Sequence, residues 1–256
     1  MYFAQQEYDV RFEWGLIGLQ TLAPHCEVII IVDVLSFTTC VDIAVGRGAI
    51  VFPYNGAAED LPDYAAARNA LYARPGRQHE AGFSLAPSSL INIPPDTRLV
   101  LPSPNGSTLS LASLSLASLS LASLSLASGN LPTLAGSLRN AQAVARYADK
   151  LGRRIGVIAA GERWPGGLLR PALEDLLGAG AVIAHLPGSL SPEAALALAG
   201  FQQMEATILD ALQRCGSGKE LIGRGFAEDV QLAGQINVSD AVPRLIDEAY
   251  RQASVF

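Results

Sequence analysis

Four short stretches carry the residue types that phosphate and metal chemistry needs. In the first, Asp33-Val34-Leu35-Ser36-Phe37-Thr38-Thr39, a carboxylate closes an apolar run and hydroxyls follow it. In open α/β sheets ligands bind beyond the carboxyl ends of strands, and helix N-termini favour anions. Asp33 is therefore a candidate Mg2+ ligand, and Thr38 and Thr39 are candidates for phosphate contact; a plain capping role for Asp33 has an equal claim. The second stretch, Leu101-Pro102-Ser103-Pro104-Asn105-Gly106-Ser107-Thr108, offers backbone and hydroxyl donors around a glycine that permits close approach. Asn105, Gly106, Ser107 and Thr108 could cradle phosphate oxygens, although Asn-Gly by itself is foremost a turn signal.

The third stretch runs from Ala159 to Asp175 and places Arg163 and Arg170 in a Gly-containing loop ahead of the adjacent acids Glu174 and Asp175. Arginine grips anions bidentately. Magnesium is usually held through one or two carboxylates, with waters and phosphate oxygens completing the shell. Acids in a first helical turn also stabilise the dipole without any ligand. The fourth, Gly223-Arg224-Gly225-Phe226-Ala227-Glu228-Asp229, adds Arg224 as a substrate contact and Asp229 as a metal ligand if the chain folds back over the site; alone it reads as a solvated helix start. His25, His79 and His185 show no ligand spacing. No Gly-x-Ser-x-Gly elbow, Walker A loop or dinucleotide fingerprint is present.

The elements that must position these residues follow from hydrophobic pattern. Val28 to Leu35 is a β-branched run suited to a strand buried on both faces. Ala49–Pro53, Arg98–Leu101, Ile155–Ala160 and Ala181–Leu186 are further candidate strands. Between and after them, helices are expected over Thr39–Ala44, Ala57–Arg68, Leu138–Leu151 with Arg139, Arg146 and Lys150 facing out, Pro171–Gly178 with Gly180 as a stop, Pro192–Arg214, Ala227–Gly234 and Ser239–Ala253. This alternation predicts a layered α/β fold. Residues 109–128 are Leu-Ser-Leu-Ala-Ser four times over, a period that fits neither a helix nor a strand. A tolerated expansion lengthening a helix or loop is the favoured reading over a pentapeptide solenoid or a membrane segment.

With 256 residues, 50% of them hydrophobic and 16% charged, the chain can bury a large core; it reads as one domain over 1–256, carrying the repeat as an insertion. A net charge of −6 argues against a nucleic-acid partner. Three scattered cysteines and a start without a basic-then-apolar leader point to the cytoplasm. No membrane partner is expected, and a homo-oligomer is left open.

Taken in order, Val32-Asp33-Val34-Leu35 with Thr38-Thr39, Ser103 to Ser107, Gly136-Ser137-Leu138-Arg139-Asn140, Ala160-Gly161, Glu174 to Gly180 and Glu228-Asp229 resemble the 2-phosphosulfolactate phosphatase (ComB) family, over about Val28 to Leu245. The resemblance implies a three-layer α/β/α sandwich with a mostly parallel or mixed sheet, Mg2+ as cofactor, and a small anionic phosphoester as partner. Its activity would be hydrolysis of 2-phosphosulfolactate to sulfolactate and phosphate, in coenzyme M synthesis. In that chemistry water attacks phosphorus in line, Asp33 acts as metal ligand ahead of nucleophile, and Arg139, Arg163 or Arg170 stabilise the transition state. Where the family commonly has Arg-Ala, this chain has Ser36-Phe37, removing a cation suited to a phosphate or sulfonate. A phosphatase of another small phosphorylated acid, or a non-catalytic anion-binding protein, is the alternative.

Overall fold

The run Val28–Val32 forms β2 and is buried at every residue, as a β-branched stretch covered on both faces should be. The computed structural model describes residues 2–74, 82–121 and 131–254; His79 and repeat residues 122–128 lie outside the described residues. In chain order the elements begin with β1 (Val10–Trp14), α1 (Gly15–Leu22), β2, α2 (Phe37–Gly46), β3 (Ile50–Tyr54), α3 (Leu61–Ala66), β4 (Leu71–Tyr72), β5 (Arg98–Pro102), α4 (Gly106–Leu121) and β6 (Thr133–Gly136). They continue with α5 (Ala141–Leu151), β7 (Ile155–Ala159), the short strands β8 (Glu162–Arg163) and β9 (Leu169–Arg170), and α6 (Leu173–Ile183). The last are α7 (Pro192–Met204), α8 (Ile208–Arg214), α9 (Gly216–Gly223), α10 (Ala227–Ala233), β10 (Pro243–Ile246) and β11 (Ala249–Gln252).

Nine strands share one mixed sheet in the order β1-β7-β2-β6-β10-β11-β3-β5-β4, with β8–β9 a separate hairpin. The block β1-β7-β2-β6 is parallel, and so is β3-β5-β4. The β10–β11 hairpin joins them through three antiparallel steps, so the two blocks run in opposite directions. Val32 pairs with Ala159 on one side and Gly136 on the other, which brings the ends of β2, β6 and β7 level. Side-chain alternation along β2 splits the core between two helical layers. Val28, Ile30 and Val32 pack with Val144, Leu177 and Ala197 of α5, α6 and α7; Ile29 and Ile31 pack with Leu19 and Leu22 of α1 and Leu109 of α4. The result is a three-layer α/β/α fold. Each such isoleucine contributes roughly 1.5–3 kcal/mol by leaving water.

Four expectations about elements are corrected. Residues 181–183 continue α6 instead of forming a strand; a short apolar run cannot distinguish a buried helix from a buried strand. Gly180 does not stop that helix. A Cβ there would lie 2.1 Å from the carbonyl oxygen of Ala197, so the glycine lets α6 and α7 approach. Ser239–Ala253 holds the β10–β11 hairpin instead of a helix, turning at Asp247 (φ +47°) and Glu248 (φ +67°), the two-residue geometry of a primed turn. The expected helix over Pro192–Arg214 is α7 and α8, separated by a 3-10 turn at Glu205–Thr207.

The described part of the repeat belongs to α4. Leu109, Ser110 and Ser113 are buried. The Ser110 hydroxyl donates to the Gly106 carbonyl and the Ser113 hydroxyl to that of Ser110, which lets the serines enter the interior satisfied. Among the described residues no helix is long and apolar enough to cross a membrane.

Candidate active site

The end of β2 is built around Asp33. The Thr38 hydroxyl donates to the Asp33 carbonyl and accepts from the Asp33 N–H, and the Thr39 hydroxyl donates to the Val34 carbonyl. Both threonines are fully buried, so the structure gives their hydroxyls to the loop that aims Asp33. One carboxylate oxygen of Asp33 accepts from the Phe37 N–H at 3.1 Å and the other from the Gly106 N–H at 2.8 Å. The second contact brings the start of α4 to β2. It requires glycine, since a Cβ on Gly106 would lie 2.3 Å from the Phe37 ring and 2.7 Å from the Asp33 carboxylate.

The adjacent acids of α6 divide two tasks. Asp175 accepts from the Val34 N–H and the Gly161 N–H, both at 2.8 Å, and so ties the loop after β2 to the loop after β7. Glu174 is also buried, and its Oε2 has no hydrogen-bond partner. Burial pushes the Asp175 carboxyl well above the usual range, and the charges of Asp33 and Glu174 push it further. Glu162, at the start of β8, is pushed up to about 7 by burial first and then by Asp33 and Glu174. The Asn105 amide donates to it at 3.1 Å. Burial and the Glu174 charge hold the nearby Cys215 thiol up at about 12. Four carboxylates thus act on one another across the ends of β2 and β7 and the first turn of α6. Among the described residues no three His, Cys, Asp or Glu side chains are already grouped closely enough to hold an ion unaided.

A cavity of about 210 Å3 opens beside this cluster, lined among others by Trp14, Asn105, Thr108, Leu109, Glu162 and Arg163. Arg170 stands over the Trp164 ring, with its guanidinium 3.0 Å from the Ser217 hydroxyl; it also lowers the pKa of Glu162. Arg163 is exposed and donates to the Gly167 carbonyl. Ser107 is buried, with its hydroxyl on the Leu101 carbonyl, and the Thr108 hydroxyl donates to that of Pro104.

A model of the 2-phosphosulpholactate phosphatase family matches residues 19–248. The chain belongs to that family. Among curated proteins, the 2-phosphosulfolactate phosphatase of Methanothermobacter thermautotrophicus is 34% identical over 43% of this chain and 46% of its own length. A probable 2-phosphosulfolactate phosphatase of Gloeobacter violaceus is 30% identical over 43% of this chain and 45% of its own length. The chain therefore spans about half the length of these two. A third, from a Synechococcus species, also bearing the probable name, is 29% identical over 87% of this chain and 89% of its own length.

In this member of the phosphatase family, three residues singled out from sequence stand apart from the carboxylates. Arg139 precedes α5 and does not face out. Its guanidinium donates to Asp42 at 2.8 Å, to the Leu232 carbonyl and to Gln235, beside a separate cavity of about 300 Å3 lined by Asp42, Arg139 and Ser239. Asp229 is buried and accepts from the Ser88 N–H. Arg224 is exposed and pairs with Glu220 one turn back on α9. Glu162 is the residue the sequence reading passed over; it sits beside Arg163 in a stretch already singled out, but a lone Glu in a loop carries no spacing signal.

Proposed function

We propose that the chain is a Mg2+-dependent phosphomonoesterase of a small phosphorylated 2-hydroxy acid. Its reference substrate is 2-phosphosulfolactate, the compound in its relatives' names, which would place it in coenzyme M synthesis. The observation that carries this reading is the buried, unpartnered Glu174 Oε2 among four mutually repelling carboxylates. Such a group is costly to bury without a cation, and its hard oxygen donors suit Mg2+. Glu174, through its unpartnered oxygen, and Asp33 would hold the ion. When bound, Mg2+ supplies neutralising charge on the phosphoryl oxygens.

The chain's own residues do the rest. Asp175 ties together the loops after β2 and β7, which carry Asp33 and Glu162. Glu162, poised near neutrality, accepts a proton from water as its oxygen attacks phosphorus. The ester P–O bond breaks, the proton held by Glu162 passes to the leaving alkoxide oxygen, and the 2-hydroxy acid and inorganic phosphate leave. Arg163 and Arg170 are the cations within reach of the charge that develops. The three buried free cysteines support a cytoplasmic setting. Phosphate release from 2-phosphosulfolactate and from other phosphorylated 2-hydroxy acids, with Mg2+ and with chelator, tests the reading. Release that requires Mg2+ is expected, and release from none of them would sink it.

A further inference from the structure

The cavity beside Glu162 has a chemical character of its own. Six of its lining side chains are apolar: Trp14, Leu16, Ile17, Leu109, Ala160 and Leu169. Ile17 is 73% and Leu169 43% exposed, and Trp164 and Leu168 of the β8–β9 hairpin add exposed apolar surface nearby. Among the described lining residues Arg163 is the one cation, and the proposed reaction gives it to the phosphoryl group. On the other side stand Glu162 and, behind it, Asp33 and Glu174. A second anionic group here would lose water and gain mainly like charge. An apolar group would gain by burial. A volume of about 210 Å3 is ample for a ring or branched chain, since an apolar cavity of about 150 Å3 can hold benzene.

We propose that this cavity receives the carbon substituent of the phosphoester and selects an apolar group there over a sulfonate. The inference rests on the phosphomonoesterase reading and narrows its substrate class to phosphorylated 2-hydroxy acids with an apolar side chain. Asn105 and Glu162 belong to both cavity and carboxylate cluster, so a phosphate at the cluster leaves the substituent facing Trp14 and Ile17.

Trp14 reports on occupancy directly. The chain has two tryptophans, and Trp164→Phe, at an exposed position, leaves Trp14 as the sole one. In that variant with Mg2+, fluorescence titrations with O-phospho-3-phenyllactate and O-phospho-3-sulfolactate compare two esters that differ in one substituent. Phosphate release is measured on the same samples. The phenyl ester is expected to bind about tenfold tighter or more, and Ile17→Lys to narrow or reverse the preference. Equal binding, tighter binding of the sulfonate, or no Trp14 response to either overturns the proposal. Tight phenyl binding without phosphate release sustains the cavity assignment and defeats hydrolysis. Release from both esters without a phenyl preference does the reverse.

Discussion

Neighbouring acids on a helix point in different directions, and Glu174 and Asp175 use that divergence. Asp175 spends both oxygens on backbone N–H groups of two loops, whereas Glu174 keeps one oxygen unpartnered. Asp175→Ala strands two buried N–H donors, at about 1–3 kcal/mol each, and should lower the melting temperature markedly. Glu174→Ala should leave melting without Mg2+ unchanged or raised, and abolish stabilisation by Mg2+. Calorimetry of both variants with and without Mg2+ checks this; equal losses in both would return the two acids to a common structural role. Glu162→Gln should cut kcat/KM about a hundredfold or more and remove the rising limb that Glu162 gives the pH profile, which Mg2+ moves below about 7 by offsetting the Asp33 and Glu174 charges. A rising limb that survives in the variant would remove Glu162 as the base. From sequence, the acids and Asp33 were legible as types because strand ends and helix starts attract function. The expectation that Arg139 faces out failed for a physical reason: its partner Asp42 lies 97 residues away, and spacing along a chain does not reveal an ion pair closed by the fold.

At the scale of elements, the approach of α4 to β2 decides the site. A methyl group on Gly106 would meet the Phe37 ring and the Asp33 carboxylate, and Phe37 is fully buried against Tyr250. Gly106→Ala should therefore displace Asp33 and reduce phosphate release by about tenfold or more while the protein still folds, at a cost of roughly 1–3 kcal/mol; a fully active variant would show that Asp33 needs no such placement. The pentad repeat permits a cleaner test. Its four units are identical, so excising any one gives the same polypeptide, and Leu109, Ser110 and Ser113 keep their places at the start of α4. The chain between the start of α4 and β6 becomes five residues shorter, a change that costs about 0.6 kcal/mol or less in closure entropy. Melting temperature and phosphate release should both persist, and collapse of the fold would assign the connection to the core. Strands with β-branched runs, such as β2, were readable. The β10–β11 hairpin was not, because its turn uses Asp247 and Glu248 at positive φ where glycine would have announced it.

For the whole molecule, the carboxylate cluster makes stability depend on pH in a specific sense. Glu162 is raised from 4.5 to about 7, so the folded chain binds more protons than the unfolded one between those values, and stability falls as pH rises across that window. Asp175 shifts in the same direction, through burial first. His25 and His185 oppose it, since burial lowers both below 6.5 and stability then rises with pH up to that value. Comparing wild type with Glu162→Gln cancels the histidines. Melting temperature measured from about pH 4.5 to about pH 7.5 without Mg2+ should drop more steeply in the wild type, and the variant should be the more stable of the two at the upper end. Mg2+ held by Glu174 and Asp33 would offset the negative charge that Glu162 gains across the window, so its stabilising effect on the wild type should grow with pH there and be largest near the top. Parallel melting curves for the two proteins, with a Mg2+ effect independent of pH, would mean that the cluster neither repels itself nor holds the ion, and the metal would have to be sought elsewhere in the fold.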